Sequence, residues 1–437
     1  MPEYVSEDPA LLEPKGGIDF EALPWFVNCT DHSNYVLCQV DGKAGGWGAE
    51  HYDSKNDSGQ ATQAQKYTQI GGIFPSCTSL NYSTTVWEGL KAFRTSKGRC
   101  VVFRPDKNFE RMSHGAGHML LPMPSREMWF RAVQTSVRTN SSLIPPYGEG
   151  MKLYIRPILF GSGQQLGLYP SPQFSFCAYV APTGNYFKSA TEGLKLNIEK
   201  VHGRAMRGGF GSVKCAGNYA VCLLPLTKSK NKGFSDNIYL ELESFHVNKE
   251  HLKMSTAEAM KKSVIQEMSA ANIFVVQKEK ARILTPSLRR KTILPGVTRD
   301  TVIKIVEAYN EEIAGAMFSD SPTPPSPLPK ITLEETDVLI EDLADASECF
   351  ATGTAAELVA IQEFGEYLVT GDSDDIDNVD EGRTEADLLN YKMSTGKFGG
   401  PVMAKILQIL REIMFEQRED KFAWLRDPFA SVEDFRK

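Results

Sequence analysis

Gly208-Gly209-Phe210-Gly211-Ser212-Val213-Lys214-Cys215-Ala216-Gly217-Asn218-Tyr219-Ala220 sets one lysine among small and apolar residues. Its glycines let backbone or a flat ligand come close. An ammonium group in such a setting is poorly hydrated, which favours the neutral amine, the nucleophile that Schiff-base chemistry needs. An ordinary lysine on a glycine-rich turn reads the same way locally. The remaining segments decide between the two.

Composition narrows the class. A chain of 437 residues is long for one domain, and two or three sharing an interface is the natural expectation. It is 41% hydrophobic and 24% charged, the balance of a soluble globular protein, and its net charge of -7 offers no basic footprint for nucleic acid or anionic lipid. No stretch approaches the roughly 20 apolar residues of a membrane span. The first 22 residues hold six acids and one lysine, unlike a mitochondrial transit peptide, and contain no apolar run of a signal peptide. Eight scattered cysteines with no CxxC pair read as reduced thiols, neither a disulfide framework nor a zinc site. The expectation is a cytoplasmic protein with no metal site, no nucleic-acid partner and no membrane.

Along the chain, residues 1 to about 70 form an irregular entry region. Leu80 to Ser83, Val86 to Phe93 and Val101 to Arg104 read as strands, a helix follows from Lys107, and 153–157 and 174–180 are further strands. Ala181 to Tyr186 collects Pro, Gly and Asn and reads as a domain link. The boundaries expected are a small α+β domain over 1–181, a loop over 182–192 and a larger α/β, barrel-like domain over 193–437 that carries Lys214. Within the latter, 194–199, 237–242 and 272–277 are strands, and 218–231 is a helix with Pro225 at a kink or in its first turns. Residues 243–263 read as a surface excursion. Leu294-Pro295-Gly296-Val297-Thr298-Arg299 opens a helix with Val302, Ile305, Val306, Tyr309 and Ile313 on one face. Five prolines between Ser321 and Pro329 then force an extended connection, Asp372 to Glu381 is an acidic loop, and Pro401 starts a last amphipathic helix.

Two decoys fall away. Gly161 to Gly167 imitates a dinucleotide loop, but its last glycine is one place late and prolines follow where a helix should begin. His114 and His118 are four apart without the acid of an HExxH site.

GGFGSVKCAGNYA, YIRPILFGSG, VWEGLKAF, NFERM, QEMSAANIFVV, LPGVTRD and ATGTAAE stand in the order and approximate spacing of branched-chain aminotransferases. The chain resembles that family, pyridoxal-phosphate enzymes of fold type IV, from about Thr30 to Glu357. The resemblance implies pyridoxal 5'-phosphate as cofactor, with Lys214 forming the Schiff base and shuttling the substrate proton. It implies Glu267 on the pyridine nitrogen, where a carboxylate keeps the ring protonated and able to accept electrons, and Tyr219 on the phenolic oxygen. Arg111, the backbone of Val297 and Thr298, and Thr354 match the phosphate-binding positions. Tyr82, Tyr154, Arg156, Ala355 and Ala356 match the network near the substrate α-carboxylate. Phe26, Trp87, Phe93, Tyr186 and Tyr219 are candidate apolar walls.

The sequence departs from the family around the pocket. Asn81 stands for the histidine of the LHYS pattern, Arg207 and Phe210 for the usual proline and threonine, and Cys29 precedes Thr30 where Phe or Thr is common. The expected function is transfer of the amino group of a hydrophobic, branched-chain L-amino acid to 2-oxoglutarate by a homodimer. Two alternatives stay open: a specialised-metabolism aminotransferase for an aromatic or unusual apolar amino acid or amine, and a pyridoxal-phosphate-binding protein without turnover.

Overall fold

A computed structural model describes residues 11–16, 19, 35–41, 73–148, 150–184, 193–369, 380–395 and 399–437. The chain divides into two compact units, one of Met1–Phe187, Val213–Ala216 and Arg411–Lys437, the other of Lys188–Ser212 and Gly217–Leu410.

The first unit contains β1 (Tyr35–Asp41), α1 (Thr78–Tyr82), β2 (Thr85–Trp87), β3 (Leu90–Arg94), β4 (Cys100–Phe103), α2 (Pro105–His118), α3 (Arg126–Arg138), β5 (Lys152–Gly161) and β6 (Gln173–Thr183). The long β5–β6 hairpin, paired from Lys152↔Thr183 to Gly161↔Phe174, is its backbone. Strand order is β1-β6-β5-β3-β4, with β2 also on β5. Helix α3 is started by the Ser125 hydroxyl, which accepts from the Met128 amide, and it buries Trp129, Phe130, Val133 and Val137 at helical spacing. Trp129 stands edge-on to Phe109 and Phe130, with ring centroids 5.6 and 5.1 Å away.

The second unit runs β7 (Leu194–Glu199), α4 (Gly217–Ala220), α5 (Leu223–Asn231), β8 (Asp236–Leu240), α6 (Leu242–His246), α7 (Thr256–Lys261), β9 (Ile265–Met268), β10 (Asn272–Gln277), β11 (Arg282–Pro286), α8 (Val297–Ala308), α9 (Asn310–Met317), β12 (Thr332–Thr336), β13 (Glu348–Gly353), β14 (Glu357–Gly365), β15 (Asn390–Lys392) and α10 (Pro401–Met414). Nine strands form one mixed sheet, ordered β12-β11-β10-β13-β14-β7-β8-β9, with β15 on β14. Strand β9 turns directly into β10 through the Met268 amide on the Ala271 carbonyl, 2.9 Å, which curls the sheet back on itself. Every residue of β10 is buried, and Phe274 stacks on its cross-strand partner Phe350 at 5.2 Å.

The chain then returns to the first unit with β16 (Leu425–Arg426), which pairs with β4, and α11 (Val432–Arg436). This corrects the expected boundary, because the terminal segment and residues 213–216 fold with the first unit. The cause is backbone pairing: the Trp87 amide donates to the Lys214 carbonyl at 3.1 Å, the Ala216 amide to Thr85, and Val86 bridges Cys215.

Other expectations also shift. Leu80 to Tyr82 is helical rather than extended, because the Asn81 amide bonds the Pro75 and Cys77 carbonyls and left-handed Ser83, at φ 55, ends the turn. Strand β6 runs through Ala181–Thr183, so the linker does not begin there. Residues 243–263 are largely helical, with Phe245, Ala259 and Met260 buried and a capping box at Ser255 and Glu258. The helix opened at Val297 breaks at Tyr309, after which the Asn310 side chain clasps the Ile331 backbone at 2.9 Å in both directions. No helix of the described residues is long and apolar enough to cross a membrane.

Candidate active site

On the first unit, β2 and the 213–216 segment bring Lys214 to Trp87, with the Lys214 Nζ 3.9 Å from the indole centroid. Arg156 of β5 lies over the same ring at 4.1 Å and over Tyr154 at 5.2 Å, and its Nη2 reaches the Tyr154 hydroxyl at 3.3 Å. Both cations are drawn to the indole ring, whose π electrons attract positive charge. Gly89 admits this cluster, since a Cβ there would lie 1.9 Å from the Tyr154 hydroxyl. Behind it Glu88 is fully buried and takes both arms of Arg111 at 2.7 Å, with Asn108 at 2.6 Å and the Gly89 amide at 3.1 Å. Arg111, expected at a phosphate, is thus held in place by a bidentate buried ion pair.

Tyr82 is exposed and donates to the Leu166 carbonyl. Phe93 is buried in β3, edge-on to Phe415 at 5.6 Å, where it fills core. Tyr186, Phe26 and Cys29 lie outside the described residues.

On the second unit, Glu267 near the end of β9 is almost fully buried, and its carboxylate accepts from Arg204, Leu294 and Asn272. Its Oε1 takes Arg204 at 2.6 Å and the Leu294 amide at 2.8 Å; its Oε2 takes the Asn272 side chain at 2.7 Å. Asn272 also donates to the Leu294 carbonyl at 2.9 Å, and Gly296 leaves it room, because a Cβ there would lie 2.0 Å from Asn272 Oδ1. Helix α8 begins at Val297 with Gly296, which has no side chain to offer, as its cap, and the amides of its first turn carry the partial positive charge that suits an anion. Thr298 is nine-tenths buried there. Thr354, Ala355 and Ala356 form the half-buried turn between β13 and β14, closed by left-handed Glu357 at φ 58. Tyr219 is half-buried on the short helix α4.

Sequence reading passed over Glu88, Asn108, Arg204 and Asn272. For Glu88 a signal existed: one acid inside the apolar run Val86 to Phe93. Asn272 stands five residues after Glu267 inside the quoted motif, whereas Arg204 carries no local signal, since its contact is made by distant chain.

The family model "Amino-transferase class IV" matches residues 85–316. The chain belongs to that family. Class IV aminotransferases work with pyridoxal 5'-phosphate, and this is the cofactor of the chain. A relative named mitochondrial branched-chain amino acid aminotransferase 1, from Humulus lupulus, is 37% identical over 289 residues, 66% of this chain and 63% of that protein. The chain therefore spans less than two thirds of that relative's length. A chloroplastic branched-chain-amino-acid aminotransferase 2 of Arabidopsis thaliana is 36% identical over 346 residues, 79% of this chain and 74% of the relative. Among solved structures, the branched-chain aminotransferase of Thermoproteus uzoniensis superposes with a TM-score of 0.59 at 24% identity, covering 82% of this chain and 95% of that one, a likeness of fold. The relatives' names overturn the expected cytoplasmic location: these two class IV aminotransferases are named mitochondrial and chloroplastic. The acid-rich start of the sequence was a poor guide because compartment is read by a receptor, not by the fold.

Proposed function

We propose that this chain transfers the amino group of a branched-chain L-amino acid to 2-oxoglutarate. The observation that carries the reading is Lys214, held by backbone pairing to β2 with its amine on the Trp87 ring. The protein's residues fit pyridoxal phosphate: Glu267 is a buried carboxylate paired with Arg204, and α8 opens on an N-terminus suited to a phosphate. When bound, the cofactor supplies an electron sink for the substrate α-carbon.

The chain supplies the rest. Lys214 is the covalent anchor and moves the proton at the α-carbon. Arg156, with Tyr154 at its side, meets the substrate carboxylate, and Tyr82 and the 354–356 turn assist it. With the cofactor bound, Glu267 would hold the proton of the pyridine nitrogen, Tyr219 would donate toward the phenolic oxygen, and Arg111, Val297, Thr298 and Thr354 would hold the phosphate. The apolar side-chain pocket that this reading requires accepts leucine, isoleucine and valine alike because one methylene changes binding by only about 1–3 kcal/mol.

The working form is a homodimer. Leu166, Leu168 and Tyr169 are 80%, 79% and 70% exposed, and Leu80 beside Tyr82 is 66% exposed, an apolar patch on the first unit that a second copy would cover.

The test is glutamate formation from 2-oxoglutarate with leucine, isoleucine, valine, phenylalanine and simple amines. Rapid turnover of the three branched acids, abolished by Lys214→Ala, is the expected result. Faster turnover of phenylalanine or an amine would replace the donor, and full activity of Lys214→Ala would remove the mechanism.

A further inference from the structure

The buried ion pair of the second unit has a task beyond support of the fold. Arg204 and Glu267 are 2% and 3% exposed at their side chains, with nitrogen and oxygen 2.6 Å apart. Of the donors to the Glu267 carboxylate named here, Asn272 and the Leu294 amide are neutral, and Arg204 carries a charge. Neutral donors aim a carboxylate, but a carboxylate removed from water remains ionised only where a countercharge offsets its lost hydration.

Arg204 is itself fixed. Its Nη1 donates to the Thr292 carbonyl at 3.2 Å, two residues before the Leu294 amide that also binds Glu267. The Gln266 side chain donates to the Ala205 carbonyl at 2.8 Å, which ties the arginine's own segment to the strand that carries Glu267. The planar guanidinium can serve Thr292 and Glu267 together, whereas an ammonium group could supply charge without that geometry. Arg207, three residues on, is spent differently: it pairs with Glu241 at 2.9 Å and is half exposed.

We propose that Arg204 is a positioning residue for transamination, holding Glu267 ionised and aimed so that the proton of the Glu267–pyridine pair stays on the ring nitrogen. This rests on the reading that Glu267 faces that nitrogen. Without the guanidinium the carboxylate gains proton affinity, and the proton passes from the ring nitrogen to the Glu267 oxygen. A charged pair becomes a neutral one, with no other bond made or broken.

The experiment is nitrogen-15 NMR of holoenzyme loaded with pyridoxal phosphate labelled at the ring nitrogen, together with steady-state kinetics on leucine. Wild type, Arg204→Met, Arg204→Lys and Glu267→Gln are compared. Wild type gives a pyridinium resonance. Arg204→Met moves it toward neutral pyridine and lowers kcat about 100-fold with KM for leucine within about twofold, the pattern of a lost transition-state interaction. Arg204→Lys, which keeps the charge, recovers about tenfold of that loss. A merely structural arginine would leave the resonance at the pyridinium position in Arg204→Met while activity falls, and that result overturns the proposal. Should Arg204→Met fail to fold, Arg204→Gln reads the same resonance. Glu267→Gln separates the two claims: an unmoved resonance there removes Glu267 from the nitrogen, and a moved one beside an unmoved Arg204→Met removes only Arg204.

Discussion

Glu88 and Gly89 are adjacent and do opposite things. Glu88 is a charge buried because Arg111 and Asn108 meet it; Gly89 is an absence that lets Tyr154 approach. Replacing Glu88 with Ala removes the buried carboxylate that takes both arms of Arg111, so urea unfolding of the first unit is expected to show a loss of about 3–5 kcal/mol. Gly89→Ala places a methyl on the Tyr154 hydroxyl and shifts Arg156 with it. The expected outcome is a rise of about tenfold in KM for the amino donor, partly reversed by adding Tyr154→Phe, which relieves the overlap. A second substitution that brought no recovery would show that the collision is absorbed elsewhere.

Helix α10 shows the same economy over an element. Its first-turn amides, Val402 and Met403, donate to the Glu348 carboxylate at 3.0 and 3.1 Å, and Gly400 must be glycine because a Cβ would lie 1.9 Å from Glu348 Cδ. Burial pushes the Glu348 carboxyl above the usual glutamate range, against the two amide hydrogen bonds, which pull it down; nearby Asp320 adds to the rise and Lys278 opposes it. A carboxyl raised in the folded state contributes stability that is fully present below its unfolded pKa, and that contribution is lost as pH rises through the folded value. Unfolding free energy measured from about pH 4 upward should therefore fall in wild type relative to Glu348→Gln once pH passes the ordinary glutamate value of about 4.3. A difference independent of pH would mean that the buried group does not titrate in this window.

At the scale of the molecule, the first unit is closed by its own C-terminus. Arg138 donates to Pro428, Gln134 to Ala430 and Arg126 to Arg436, while Phe435 is wholly buried against Phe130 at 5.7 Å. Phe435→Ala is expected to cost about 3–5 kcal/mol in denaturant unfolding, the range for a lost core aromatic. For assembly, Leu166→Asp with Leu168→Asp charges the apolar patch, and sedimentation should report a monomer against the dimer proposed for wild type. A dimer that survived both changes would place its interface elsewhere.

The sequence by itself determined what is written locally. The strand-like runs at 153–157, 174–180 and 272–277, Pro401 at the start of α10 and Pro225 inside the first turn of α5 all express backbone preferences of their own residues. Motif order gave the family and the cofactor, because glycines and a lysine at fixed spacing keep their meaning without a fold around them. The tertiary structure decided the rest. Asn81 turned an apparent strand into a helix through two carbonyls, and β4 drew residues 425–426 back to the first unit. Arg204 and Glu267, 63 positions apart, meet as an ion pair only by burial together. A backbone preference is a property of neighbours in sequence, whereas the worth of a charge depends on what replaces water around it, and that is settled only when distant chain arrives.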